Sequence, residues 1–222
     1  KREILLPSRF RVGGFLLLGS PYRTGHRYRR CFGYWGLVPG FFKRLDQPFG
    51  LFPFLLLYSG LRRGEALALT WGDVDLRTNV IHVRRSVSFP GNQPVLKTPK
   101  SESGVRDVPI VAPLAAALKQ KKPRGNSAGV YLFSMVGKNA PLSKIVFQER
   151  WAAWKDATGY EGNTRQLRHL FATFCFEAGV APKDAQAILG HSSIDVTMDV
   201  YTEIRADRAH AQKATLDAFF SP

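Results

Sequence analysis

Three groups able to bind an anion sit at helical spacing in the stretch TRQLRHLFATFCFEAG: Arg165, Arg168 and His169 stand at i, i+3 and i+4. Leu167, Leu170, Phe171, Phe174 and Ala178 fall on the other side, so Thr164 to Ala178 reads as an amphipathic helix with one basic face. Adjoining cations repel, and either water solvates them or a bound anion such as a phosphate holds them together. Further on, Pro182 opens a helix that Gly190 ends, and His191 follows directly. Ser192 or Ser193 can cap a short helix running towards Tyr201, which brings an imidazole near a phenol. Taken alone, each of these two is usually a structural residue.

The elements that would position these groups are regular from about residue 51. LFPFLLLY and LRRGEALAL read as two short helices joined at Ser59-Gly60. Ile81, Val83, Val87 and Phe89 alternate with His82, Arg84, Ser86 and Ser88, as a half-buried strand does. Pro90-Gly91-Asn92 turns the chain, Val95 to Lys97 returns it, and Val105 to Ile110 makes a third strand. After residue 112 the pattern is helical to the end, with a final pair of helices around Tyr201. The predicted fold class is α+β: a mostly helical domain with a small three-stranded antiparallel sheet.

Charge sets the class of partner. The chain has 222 residues, with 32 Lys and Arg against 17 Asp and Glu, a net charge of +15. Such a surplus points to a polyanion. Residues 1–50 carry 10 of the basic residues and 2 acidic ones, with 8 glycines and four prolines, and hold no hydrophobic period for long. They read as an irregular basic segment, either lying along nucleic acid or without packed structure. The longest apolar stretch falls far short of the ~20 residues that span a bilayer, and no signal peptide is visible. Cys31 and Cys175 are too few for a disulfide framework or a cysteine metal site, so a reducing, cytoplasmic setting is expected. A start at Lys1, with methionines only at 135 and 198, is expected of a piece of a longer product.

SGLRRGEALALTWGDVDL, KTPKSESGVRDVPI, LRHLFATFCFEAG and LGHSSIDVTMDVYT, in that order and spacing, resemble the catalytic domain of tyrosine recombinases of the phage-integrase type. The resemblance covers about residues 51 to 220. Residues 1–50 do not resemble the helices that normally open this domain, and the separate N-terminal DNA-clamping domain is expected to be absent. Residue by residue, the resemblance makes Arg62 and Arg168 the two active-site arginines, with Glu65 orienting Arg62. Lys100 becomes the hairpin lysine, with Lys97 its rival, His191 the later histidine and Tyr201 the nucleophile. His169 is then more a structural neighbour than a catalytic group. One position departs: the family usually has a histidine where this chain has Arg165. Arginine keeps its proton, so Arg165 can hold a phosphate oxygen but cannot act as a base.

The implied reaction is transesterification at a DNA phosphodiester. Tyr201 attacks phosphorus, forms a 3′-phosphotyrosyl link and releases a 5′-hydroxyl, and a strand's hydroxyl reverses the step. Bond energy is kept in the intermediate, so neither a high-energy cofactor nor a metal is expected. Arg62, Arg165, Arg168 and His191 would stabilise charge on the phosphate, and Lys100 would protonate the leaving oxygen. The arginines would favour the phenolate over its usual pKa of about 10. Arg84, Arg85, Lys97 and Arg106 are candidate contacts to the DNA backbone, with a solvated strand face as the alternative. The resemblance also implies double-stranded DNA as partner and a homotetramer assembled on it through the C-terminal tail. Docking of Leu216, Phe219 and Phe220 on their own domain is the other option. A DNA-binding module without cleavage and a type IB topoisomerase are the rival functions.

Overall fold

The computed structural model describes residues 45–99 and 102–220. The expectations for residues 1–44 and for Lys100 lie outside the described residues. The first helix, α1 (Leu51–Ser59), is buried almost all round, with Phe52, Leu55, Leu56 and Leu57 fully inaccessible. A helix apolar on every face belongs at the centre of a domain, and α1 is the post around which the others stand. Gly60 ends it at φ 64°, and a Cβ there would collide with the Phe171 ring and with Leu189. That close approach sets α1 against two later elements that carry the site.

α2 (Arg63–Ala68) follows at once, and the carboxylate of Glu65 accepts the Arg62 backbone N–H at 2.8 Å. A single 3₁₀ turn at Trp71–Asp73 leads into β1 (Val74–Asp75), which pairs antiparallel with β2 (Val80–Val83). β3 (Ser86–Ser88) and β4 (Val95–Lys97) form a separate antiparallel pair, while β5 (Arg106–Pro109) adds to the other edge of β2. The expected continuous strand from Ile81 to Phe89 is therefore two strands in two sheets, and Val74–Asp75 supplies the remaining member of the three-stranded one. The break falls at Arg84 and Arg85, whose guanidiniums reach different partners: Asp107 at 2.7 Å and Asp73 at 2.6 Å.

The remaining helices are α3 (Ala112–Lys121), α4 (Lys144–Thr158), α5 (Thr164–Glu177), α6 (Pro182–Leu189) and α7 (Asp195–Phe220). Ser143 caps α4 by accepting from Val146, and Asn163 caps α5 by accepting from Arg165 and Gln166. An aromatic stack of Phe49, Phe52, Phe147, Trp151 and Trp154 ties α4 to α1. The final pair of helices expected around Tyr201 is instead one helix of 26 residues. Two apolar clusters result. The larger joins α1, α2, the sheet, α3, α4 and one side of α5; a smaller one of Phe171, Ala172, Cys175, Ala185, Leu189, Val200, Tyr201 and Ile204 joins α5, α6 and α7. No helix among the described residues is long and apolar enough to cross a membrane.

Candidate active site

The site is built on the C-terminal end of α6. The last carbonyls of a helix lack partners within it and carry the negative end of its dipole. Here three successive carbonyls each accept from a different arginine. Arg106 donates from Nε to Ile188 at 2.7 Å, Arg168 from Nη2 to Leu189 at 2.7 Å, and Arg62 from Nη2 to Gly190 at 2.6 Å. Arg168 also donates from Nη1 to the Gly60 carbonyl at 2.6 Å, which pins α5 to the end of α1. Groups 62, 106 and 168 in sequence thus meet on one short stretch of backbone.

One carboxylate serves this cluster. Glu65 is 4% exposed and accepts from Arg62 Nη1 at 2.9 Å and from Arg106 Nη1 and Nη2 at 3.0 and 2.9 Å. Burial by itself pushes the Glu65 carboxyl up, but the hydrogen bonds and charge of Arg106 and the bonds from Arg62 outweigh it, and the net shift is downward. A single anion cannot neutralise three guanidiniums, so the site keeps a positive excess. Burial first, then the charge of Arg62, pushes Arg168 down to about 9, still cationic at neutral pH.

His191 leaves this same stretch of backbone, and its Nδ1 lies 2.8 Å from Thr197 Oγ1 in the first turn of α7. Burial, then the charges of Arg168 and Arg62, push the imidazole down to about 4, so it is neutral at pH 7. When Thr197 donates to Nδ1, the imidazole proton resides on Nε2, where it can be donated to a ligand. Arg165 and His169 lie on the exposed side of α5. Burial, then Arg165 and Arg168, lowers the pKa of His169.

The structure brings together Arg62, Arg168 and His191 but keeps Tyr201 apart. Its side chain is 3% exposed, edge-on to Phe176 with ring centroids 5.0 Å apart, and its hydroxyl donates to the Val180 carbonyl at 3.1 Å. Burial pushes the phenol up to about 12, the opposite of the expected shift towards phenolate. The reason is local: Val200, Tyr201 and Ile204 form the apolar stripe by which α7 docks on α5 and α6.

Arg106 also departs from expectation. It is 8% exposed, on the inward face of β5 with Val108, and its donors are engaged by Glu65 and Ile188; it is not a surface contact for a DNA backbone. The alternation Arg106, Val108, Ile110 on one face was the available signal. Thr197 was missed: it stands six residues after His191 and four before Tyr201, but a lone threonine carries no chemical signal of its own. Arg84 and Arg85 are partly exposed and each is paired with a carboxylate, whereas Lys97 is exposed on β4. Among the described residues no cluster of three or more His, Cys, Asp or Glu side chains is placed to hold a metal.

A family model described as "Phage integrase family" matches residues 50–208, and the chain belongs to that family. It is 28% identical over 191 residues to a protein named "Tyrosine recombinase XerC-like" from Caldanaerobacter subterraneus, covering 75% of this chain and 49% of that one. It is 29% identical over 189 residues to "Prophage integrase IntR" of Escherichia coli K12, covering 74% and 45%. The chain therefore spans about half the length of these relatives. Among solved structures it is similar to the Tn1549 transposon integrase in complex with transposon right end DNA, with a TM-score of 0.60, 25% identity, and coverage of 80% of this chain and 63% of that one. The XerA recombinase shares the fold at a TM-score of 0.52 and 23% identity.

Proposed function

We propose that this chain is the catalytic part of a site-specific DNA recombinase or integrase, cleaving and rejoining double-stranded DNA through a 3′-phosphotyrosyl intermediate. The observation that carries the reading is the convergence of Arg62, Arg168 and His191 on the end of α6 in a chain of this family. A guanidinium has five N–H donors, and each of the two arginines uses two side-chain nitrogens on protein acceptors. Their remaining N–H groups, fixed in direction before any ligand arrives, are free to meet the non-bridging oxygens of a phosphate. Donors positioned in advance cost no reorganisation as charge builds in the transition state.

Tyr201 has to leave its pocket to attack. Withdrawing the ring and breaking its bond to Val180 costs about 3 kcal/mol, within reach of a few phosphate contacts made elsewhere. His191 and Tyr201 both hang on the start of α7, through Thr197 and directly, so a shift of its first two turns reorients both. Once the phenol reaches the phosphorus, its oxygen bonds there as the bond to the 5′-oxygen breaks; the phenol proton passes to solvent water, and Lys100 supplies the departing 5′-oxygen with a proton. Arg165, exposed on the same helix as Arg168, adds charge to the phosphate and takes no proton. Lys97 is a backbone contact in this scheme, and Arg84 and Arg85 serve in it only by sharing their carboxylate partners. Assembly as a tetramer on DNA belongs to the same proposal.

Nicked DNA carrying the protein's own site tests it. Mixed with the protein in a chelator and then denatured, it should yield a covalent protein–DNA adduct, and Tyr201→Phe should yield none. DNA binding without an adduct would reduce the function to a binding module, and relaxation of arbitrary supercoiled plasmid would indicate a topoisomerase instead.

A further inference from the structure

We infer that Arg106 is a positioning residue of the phosphate site, acting through Glu65 on Arg62 and through Ile188 and Gly190 on the loop that carries His191. The inference rests on the phosphate-site reading above. Register puts Arg106 opposite Val83 on the inward face of β5, so the sheet delivers its guanidinium to the interior whatever the rest of the chain does. There all three nitrogens of the fork are engaged: Nη1 and Nη2 hold the Glu65 carboxylate, and Nε holds the Ile188 carbonyl. Glu65 passes the constraint on, because the same carboxylate takes the backbone N–H and Nη1 of Arg62.

Gly190 gives the second line of contact. Its φ is 69°, which ends α6, and a Cβ added there would come within 2.8–2.9 Å of Arg106 Nη1, Nε and Cζ. The guanidinium therefore lies flat against the backbone that turns into His191. A cleft of about 310 Å³, lined by Ser103, Val105, Arg106, Lys183, Gln186 and His191 among others, opens on this side, so the imidazole and Arg106 face one space. A buried ion pair is in itself weak evidence for stability, since an apolar pair of equal volume often serves as well. An apolar pair could hold neither Arg62 nor the Ile188 carbonyl in place. Lysine could keep the charge but not the fork.

The variants Arg106→Lys and Arg106→Met in the full chain separate positioning from a merely structural role. Affinity for uncleaved DNA in a Tyr201→Phe background should stay within about three-fold, because most of it comes from other phosphates. The single-turnover rate of adduct formation should fall about 100-fold even in Arg106→Lys, the scale of a misplacement near 1 Å. Leu118→Ala, in the main core away from the site, controls for lost stability and should leave that rate unchanged below its own melting temperature. An adduct rate within about three-fold of wild type in Arg106→Lys, or a loss equally seen in Leu118→Ala, overturns the inference.

Inorganic phosphate, titrated while the His191 ring is followed by NMR, reads the site without cleavage. Wild type should respond, and Arg106→Lys should bind about ten-fold more weakly. A wild type that responds to phosphate but forms no adduct sinks the cleavage reading alone, and equal phosphate affinity in Arg106→Lys sinks the inference alone. No response in wild type sinks the inference, while the adduct assay alone decides the cleavage reading.

Discussion

The two apolar clusters treat the two halves of the chemistry differently. The larger one fixes the two arginines that would hold the phosphate and the one that positions them: Arg62 at the start of α2, Arg168 on α5 and Arg106 on β5 all rise from elements sunk in it. The smaller one holds the group that would attack, with the Tyr201 phenol closed in by Val200, Ile204 and Cys175 and bonded to a single carbonyl. Electrostatic groups lose their effect when they move, whereas Tyr201 would have to move to attack, so a rigid setting for the arginines and a small cluster around the phenol suit the proposed chemistry.

Several substitutions would break or sharpen that contrast. Tyr201→Phe has the largest effect: adduct formation should vanish while DNA affinity stays, and thermal melting should shift by no more than the loss of one hydrogen bond, about 1 kcal/mol. Arg168→Ala comes next, removing donors to Gly60 and Leu189 together. The adduct rate should drop by roughly 10²–10³, with a lowered melting temperature because two carbonyls lose their partner. Glu65→Gln leaves Arg106 buried without its anion, and urea unfolding at pH 7 should show a loss of about 3–5 kcal/mol.

That last variant also has a pH signature. The Glu65 carboxyl is lowered in the folded state, so its contribution is present above the ordinary carboxylate pKa and is lost as pH falls through the folded value. The wild type should therefore lose stability in acid more steeply than Glu65→Gln. His191 acts in the same direction over a different window: held at about 4 against an ordinary 6.5, it disfavours the fold progressively as pH drops between those values. His191→Gln should flatten unfolding curves between pH 6.5 and 4. The smallest effect is expected of Arg165→His. It lies on the exposed side of α5, and its replacement should keep or raise the adduct rate; a fall would give Arg165 a role of its own.

Much of this was legible in the sequence. The 3.6-residue period through Thr164 to Ala178 gave the helix and set Arg168 off the side of Leu167 and Leu170, and the Gly190 stop put His191 on a loop. The period did not give the turn of Arg168 inward to Gly60 and Leu189 while Arg165 and His169 stay exposed. Other parts obeyed rules that were present but outweighed. Arg106 alternates with Val108 and Ile110, and that parity, more than its charge, decides where it points. The stretch from Asp195 to Phe220 contains neither glycine nor proline, which allows the single helix observed. Val200, Tyr201 and Ile204 lie on one stripe, a spacing that puts the Tyr201 ring in the apolar contact with α5 and α6. The carbonyls of Ile188, Leu189 and Gly190 had no signal at all, since every residue has one and only the fold decides which are left over.

The length of α7 has a mechanical consequence. At 1.5 Å per residue, its 26 residues make a rod of about 39 Å, and Tyr201 sits near one end of it. A rod without a joint transmits torque. Whatever grips its distant half can turn the Tyr201 ring from tens of ångströms away, without any messenger passing through the core.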